Sequence, residues 1–405
     1  MASANPSLTR LFIAAGGIYT AQSLVGGLTF LGVPAVLRAE NVALDKIGMV
    51  SLAMLVWAVK FLWAAPVERR RLGSGGHRRS RVLMLAGEGV VALALVAFAL
   101  AAEADFTVIL SLLIIMAAAS ATVDIVCDAY LIEQFPQERR GLGNIAQVGG
   151  GYLGLIFGSG LFVFLYSMVG WAGASVVLAL LVVLMSMPMA LTREPKVVLP
   201  AQAPPPRLSE GFRRPEVRIG IVMAIVFELG GRLAQALAGP FLVDAGLSLA
   251  ALGLLNGGGG VAAGLAGTLA GGFAAQRLGA SRAMMAVACV HVLTLGALTG
   301  AIVFDIDNLP LLTGLFVLEG GMMAAGFVVS YARLMALASS AQPGVDFTIF
   351  QCASAIVAAC AGMAGGVMAA RAGYPAVFMI ALLAACAAPV GLVLCERFLA
   401  RRTLP

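Results

Sequence analysis

Long apolar runs recur along the whole chain, and short charged segments separate them. About 20 apolar residues suffice for a helix to cross the hydrocarbon core of a bilayer. With 61% hydrophobic and 11% charged residues, the composition indicates an all-α membrane protein with no room for a soluble catalytic domain, so no enzyme is expected. We predict twelve transmembrane helices, spans 1 to 12, at residues 11–37, 47–66, 82–102, 106–131, 141–168, 170–191, 218–241, 248–273, 283–304, 309–334, 347–370 and 375–396.

The distribution of lysine and arginine predicts the orientation. Basic residues are retained on the cytoplasmic side during insertion. Of the 26 lysines and arginines, 21 lie in the termini, in loops after even-numbered spans or at the span ends that border them, 3 lie in loops after odd-numbered spans and 2 lie deep within spans. We therefore expect a multi-pass inner-membrane protein with both termini in the cytoplasm and span 1 as an uncleaved anchor. The net charge of +6 then reflects topology, and no nucleic-acid partner is expected.

Two further patterns limit the chemistry. All six cysteines lie inside spans or at a span end, where cysteine behaves as a small core residue, so neither a disulfide framework nor a metal site is expected. The sequence contains no GxxxxGK[ST] motif, which argues against direct nucleotide drive. We expect no cofactor.

A segment rich in proline and basic residues divides the spans into two groups of six. It covers residues 192–217 and is typical of an exposed linker. We predict an N-terminal six-helix bundle at 1–191 and a C-terminal one at 218–405. An Arg-Leu-Gly sequence followed by a basic turn occurs after span 2 and again after span 8, which indicates that the two halves are repeats.

Five ionisable residues lie deep inside spans 4, 7 and 10: Asp124 and Asp128 on span 4, Glu228 and Arg232 on span 7, and Glu319 on span 10. A charged side chain at the bilayer centre costs about 2.5–3.5 kcal/mol, so these residues must face one another, water or a substrate. They are the candidate proton-coupling and cavity residues.

The spacing of four between Asp124 and Asp128 places both on one helix face. Two carboxylates so close do not readily ionise together, which makes them a candidate proton-coupling pair. The alternative is structural, with Asp128 bonded to Lys60 or to the basic loop after span 2 as a latch. In that loop region Lys60, Glu68 and Arg69 are the candidate gate residues.

Glu228 and Arg232 have the same spacing, with the acid first, which favours an intrahelical ion pair. Glu319 could compete for Arg232 and form a network that switches with proton or substrate occupancy. Arg232 could instead bind an anionic group of the substrate, since its fork geometry matches a carboxylate.

Polar and aromatic residues in other spans complete a candidate substrate pocket, with helix packing as the alternative role for each. They are Tyr19 and Gln22 on span 1, Gln147 and Tyr152 on span 5, Asn256 on span 8 and Gln351 on span 11. We expect His291 on span 9 to be a peripheral packing residue, and Glu88 on span 3 to pair with a loop arginine.

Glycines recur at helical spacing on spans 5 and 8, for example Gly150, Gly154 and Gly158, and Gly267 and Gly271. Such stripes let another backbone approach closely. We predict a sliding seam between the halves, with close packing inside one half as the alternative.

Two stretches carry a family resemblance: KFLWAAPVERRRLG from Lys60 and DIVCDAYLIEQFPQERRGLGNIAQVGGGYLG from Asp124. They resemble the peptide and acetyl-coenzyme A transporter branch of the major facilitator superfamily, which includes muropeptide permeases. The resemblance implies a substrate site near the midplane between two six-helix halves, lined by spans 1, 4, 7 and 10.

The compact chain looks closer to the pyochelin and rhizobactin permeases, which carry ferric siderophores. The resemblance therefore implies a monomeric importer of a pyochelin-like ferric siderophore, driven by protons. Two other functions stay open: a muropeptide or amino-sugar permease of the same branch, and drug or metabolite efflux.

Overall fold

The computed structural model of the protein describes residues 7–40, 49–50, 52–72, 78–101, 105–194, 205–248, 251–252 and 255–403. These residues are almost entirely helical. The α-helices are α1 (Leu8–Gly27), α2 (Val33–Ala39), α3 (Leu52–Val59), α4 (Phe61–Leu72), α5 (Ser80–Leu100), α6 (Phe106–Gln134), α7 (Arg140–Ile156), α8 (Phe162–Ala190), α9 (Leu208–Arg213), α10 (Pro215–Asp244), α11 (Gly260–Leu278), α12 (Ala280–Val303), α13 (Leu309–Leu337) and α14 (Pro343–Thr403). π-Helical turns at Leu28–Gly32, Phe157–Leu161 and Leu255–Gly259 lead into α2, α8 and α11.

Within the described residues, eight helical segments are long and apolar enough to cross a membrane. Two of them, Gln137–Ala190 and Pro343–Arg401, have 54 and 59 residues and are each long enough for two crossings. They are interrupted at Gly170 (φ 70°) and Gly373 (φ 78°), in a backbone region that glycine enters without steric cost. The pair α3–α4 and helix α11 supply the other two spans, which confirms the twelve predicted spans.

The chain forms two compact units. The first comprises Met1–Gln137, Ala146–Glu210 and Ser339–Thr348, and the second comprises Glu138–Ile145, Gly211–Ala338 and Ile349–Pro405. Each has its own apolar core. In the first unit Phe98 contacts Trp171 with ring centroids 4.6 Å apart. In the second, Phe316 lies 5.9 Å from Phe378. The domain boundaries at residues 191 and 218 remain predictions.

The glycine stripes bring helices together inside each unit. In the first unit, a Cβ on Gly158 would lie 1.9 Å from the carbonyl oxygen of Leu24 on α1. In the second, a Cβ on Gly267 would lie 1.9 Å from the carbonyl oxygen of Gly321 on α13. These contacts favour close packing within a half over the predicted sliding seam, because both glycines already have a backbone against them.

Candidate functional site

In the first unit, six side chains from four membrane spans form one buried group. We call it the N-terminal polar cluster: Tyr19, Gln22, Lys60, Asp124, Asp128 and Gln147. Lys60 lies at the turn between α3 and α4, and its ammonium group forms an ion pair with Asp124 on α6. Gln22 on α1 donates to the other oxygen of Asp124, with Nε2 and Oδ1 2.6 Å apart. Only 4% of Lys60 and 9% of Asp124 is exposed, so little water supports this pair.

Asp128, one turn further along α6, receives its hydrogen bonds from other donors. The hydroxyl of Tyr19 donates to Oδ1 at 2.6 Å, and Nε2 of Gln147 donates to the same oxygen at 2.7 Å. Lys60, one of the predicted gate residues, forms its ion pair with Asp124 in the interior of the unit and balances the charge of that carboxylate.

In the second unit, a second buried group gathers around two carboxylates. We call it the C-terminal polar cluster: Glu228, Arg232, His291, Thr294, Glu319 and Ser354. Arg232 donates from Nε (3.2 Å) and Nη2 (3.1 Å) to Oε2 of Glu228, as the spacing of four predicted. The Ser354 hydroxyl donates to Oε1 of Glu228 at 2.8 Å. The guanidinium of Arg232 lies over the ring of Phe327, 4.6 Å from its centroid, and the side chain is 19% exposed.

Glu319 has different partners from those the sequence predicted. Its Oε1 lies 2.5 Å from Nε2 of His291, and Thr294 donates to its Oε2 at 3.1 Å. The predicted competition of Glu319 for Arg232 is therefore absent from this structure. His291, expected to be a peripheral packing residue, is buried and pairs with one of the five candidate intramembrane charges. Treating every ionisable residue within a span as a functional candidate would have identified it.

A narrow void joins the two halves of this cluster. It is lined by Phe227, Glu228, Val287, His291, Met322, Met323, Gly326 and Phe327. A Cβ on Gly231 would lie 3.1 Å from Cε1 of His291 and 2.1 Å from Sδ of Met323. The imidazole of His291 thus lies directly against the α10 backbone, between the positions of Glu228 and Arg232.

A third charged group, the arginine cluster, lies at the end of α4. Arg71 binds Glu68 (Nη2 to Oε1, 2.7 Å) and Glu133 (Nη1 to Oε2, 2.7 Å), and Arg78 also binds Glu133 at 2.8 Å. Burial lowers the pKa of Arg71, but the carboxylates of Glu68 and Glu133 raise it by more, so its pKa is higher than usual. The guanidinium therefore stays charged at every physiological pH.

Of the predicted gate residues, Glu68 belongs to this cluster, and its role as a gate stays a prediction. Arg69 instead donates from Nε to the carbonyl oxygen of Pro206 at 2.8 Å. Arg71, which the sequence analysis did not name, binds Glu68 because the spacing of three brings both onto one helix face. A Cβ on Gly344 would lie 2.6 Å from Oε2 of Glu68, so the segment Ser339–Thr348 packs against this cluster within the first unit.

The remaining predicted residues have separate positions. Tyr152 on α7 and Gln351 on α14 are half-buried. Asn256 belongs to the π-helical turn Leu255–Gly259, and its side chain lies outside the described residues. Glu88 is 2% exposed, and neither of its carboxyl oxygens has a hydrogen-bond partner among the described residues, which corrects the expected pairing with a loop arginine.

Comparison with known proteins adds a relative and a fold. No family model matches the sequence. The anhydromuropeptide permease of Escherichia coli K12 is 27% identical over 402 residues, which cover 94% of this chain and 78% of that protein. A bacterial homologue of the iron transporter ferroportin, solved in an outward-facing state, superposes with a TM-score of 0.73 at 14% identity, covering 96% of this chain and 99% of its own. The major facilitator superfamily transporter FucP superposes with a TM-score of 0.70 at 15% identity, covering 95% and 98%.

Together with the twelve spans, these superpositions establish the fold. The chain has the fold of a major facilitator superfamily transporter: an all-α membrane protein of two six-helix bundles.

Proposed function

We propose that the protein is a secondary transporter that moves an anhydromuropeptide-like solute across the inner membrane into the cytoplasm, by alternating access and with protons. The observation that carries the substrate class is the similarity to an anhydromuropeptide permease over 94% of this chain. This is the alternative that the sequence left open beside the siderophore. It also fits the resemblance of the Asp124–Gly154 stretch to the branch that includes muropeptide permeases.

The buried clusters support transport over a purely structural role. The N-terminal cluster draws polar side chains from spans 1, 2, 4 and 5, and the C-terminal cluster from spans 7, 9, 10 and 11. Ionisable groups inside a membrane protein are costly, and they mark substrate and proton pathways. Arg232 retains partial exposure, so its guanidinium can reach a carboxylate such as those of a peptide stem.

Import of a ferric siderophore remains a prediction from the resemblance of the sequence. The superposition on the ferroportin homologue supports the shared fold and, at 14% identity, carries no substrate with it. Inner-membrane location and cytoplasmic termini are part of the proposal and rest on the basic residues of the loops. Import is also part of the proposal and rests on the resemblance to permeases of this branch.

Counterflow in proteoliposomes tests the substrate class without requiring ion coupling. Purified protein is reconstituted, vesicles are loaded with unlabelled anhydromuropeptide, and entry of the labelled compound is followed. We expect saturable exchange of anhydromuropeptide and none of an unrelated disaccharide. Exchange of a ferric pyochelin-type chelate without exchange of anhydromuropeptide would overturn the proposal and restore the siderophore.

Two variants of α6 serve as a matched pair in the same assay. Asp124→Asn removes a buried carboxylate of the N-terminal cluster and is expected to reduce exchange at least tenfold. Asp105→Asn changes an exposed aspartate at the start of the same helix, and its exchange should equal that of the unmodified protein. Equal exchange by both variants would show that the N-terminal cluster is not required for transport.

A further inference from the structure

Resting on the proposed function, we propose that His291 and Glu319 form the proton-binding site through which transport is coupled to the proton gradient. The pair is buried within the second unit, with 7% and 5% of the two side chains exposed. It lies on spans 9 and 10, away from the carboxylate pair that the sequence nominated for this role.

The partners of the intramembrane carboxylates single out this pair. Asp124 is balanced by a lysine and Glu228 by an arginine. Those cations keep their charge near neutral pH, so they do not themselves take up or release a proton. Among the described ion pairs, Glu319 is the one buried carboxylate whose cationic partner is a histidine. Histidine exchanges its proton near neutral pH, which a coupling site must do.

The charge of the C-terminal cluster depends on that one proton. With His291 protonated, two cations balance two carboxylates and the cluster is neutral. Without the proton, the cluster carries one uncompensated negative charge inside the membrane, which is costly. The transporter is therefore stabilised with one proton on the His291–Glu319 pair whenever this site is closed to water.

The surrounding helices bring few other charges to His291. From α10, Glu228 lines the narrow void together with His291 and holds Arg232 in an ion pair, and from α13 Glu319 binds the imidazole. The one charged residue of α11 is Arg277 in its last turn, and the first after Gly373 in α14 is Glu396, bound to Arg333. The charge of protonated His291 therefore interacts mainly with the charges of Glu319, Glu228 and Arg232.

Protonation of His291 can affect α10 directly, because the imidazole packs against that helix at Gly231. The imidazole lies against the backbone at this glycine, next to Arg232 along the chain. Loss of the proton leaves Glu319 with an unbalanced charge, which attracts the guanidinium of Arg232. Because Arg232 is held to Glu228 at 3.1 Å and stacked on Phe327, such a shift would change both contacts at once.

The transport test compares two assays on the same vesicles. His291→Gln and Glu319→Gln should retain counterflow of labelled anhydromuropeptide at equal pH, within about threefold. Both should lose at least tenfold in accumulation driven by an inward proton gradient. His77→Gln, which changes the other histidine of the chain, should keep both activities. Accumulation by His291→Gln at the level of the unmodified protein would overturn the coupling site and leave the proposed substrate untouched.

A titration measures the same site without any substrate. In the His77→Gln protein, His291 is the only histidine, so ¹⁵N-histidine NMR reports its protonation alone. We expect the histidine signals to change with pH, and Glu319→Gln to alter that change because the carboxylate no longer stabilises the imidazolium. Histidine signals that do not change with pH would overturn the proposal, whatever the protein transports.

Discussion

The two polar clusters hold their carboxylates by different chemistry. In the N-terminal cluster, Asp124 and Asp128 receive hydrogen bonds from a lysine, two glutamines and a tyrosine. None of these donors changes charge near neutral pH. In the C-terminal cluster, Glu228 is bound by an arginine, but Glu319 is bound by a histidine. The donors of the N-terminal cluster therefore keep their charge, whereas the C-terminal cluster contains a histidine, which can gain or lose a proton.

The largest expected difference between the clusters concerns their permanent cations. Lys60→Met leaves Asp124 buried without a counter-ion, which costs about 3–5 kcal/mol of stability. Arg232→Met should cost less, because 19% of the Arg232 side chain is exposed against 5% for Lys60, so water already supports that site. Thermal unfolding of the purified proteins in detergent measures both.

The control for this pair is a double replacement. Lys60→Met with Asp124→Leu removes both charges and should recover part of the lost stability, because no unpaired carboxylate remains. A double variant no more stable than Lys60→Met would mean that packing, and not charge, explains the loss.

The glycine contacts test whether the two units share the same packing rule. Gly158→Ala and Gly267→Ala each place a methyl group 1.9 Å from a backbone oxygen, so each should destabilise its unit by about 1–3 kcal/mol or more. Gly160→Ala and Gly300→Ala introduce the same group where no atom lies within 4 Å and should be neutral. The yield of monodisperse protein in size-exclusion chromatography distinguishes them. Equal yields from all four would contradict the close approach.

The arginine cluster tests whether an ion pair of the first unit keeps its charge over a range of pH. Arg71→Lys loses the bidentate contacts to Glu68 and Glu133 and should cost about 1–3 kcal/mol. A group whose pKa is higher in the folded state than in the unfolded state contributes its full stabilisation at any pH below the unfolded-state pKa. That stabilisation is lost only as the pH rises through the folded-state pKa. Both lie far above neutral for Arg71, so the destabilisation should be the same at pH 6 and pH 9.

The matched control is Arg70→Lys, at an exposed position beside it, which should leave the unfolding temperature unchanged. A loss for Arg71→Lys that grew or shrank between the two pH values would show that another group titrates in this cluster.

The smallest expected effects come from single hydroxyl groups. Tyr19→Phe removes a donor to Asp128, and Thr294→Val removes a donor to Glu319. Each should cost about 0.5–1.5 kcal/mol, or roughly twofold to tenfold in uptake. Uptake by Tyr19→Phe should fall equally at all pH values, whereas Thr294→Val should also shift the pH dependence. A pH shift in Tyr19→Phe would break the contrast between the clusters.

The sequence by itself determined the spans and the positions of most intramembrane charges. A lipid-facing chain must satisfy its backbone hydrogen bonds within each helix and present about 20 apolar residues. Each span can therefore be predicted from its own segment of sequence. The pairing of Glu228 with Arg232 was predictable for the same reason, since both partners lie on one turn of one helix.

Only the tertiary structure decided which side chains meet across helices. Lys60 is 64 residues from Asp124, and Tyr19 is 109 residues from Asp128. Their contacts depend on the rotation and depth of whole helices, which the nearly uniform apolarity of the spans does not specify. The same holds for His291, an isolated polar residue in an apolar run. Its contact with Glu319 on the neighbouring helix makes it a candidate functional residue. Interactions within one helix can be predicted from the spacing of residues in the sequence. The energies of buried ion pairs between helices arise only when packing removes water from both partners.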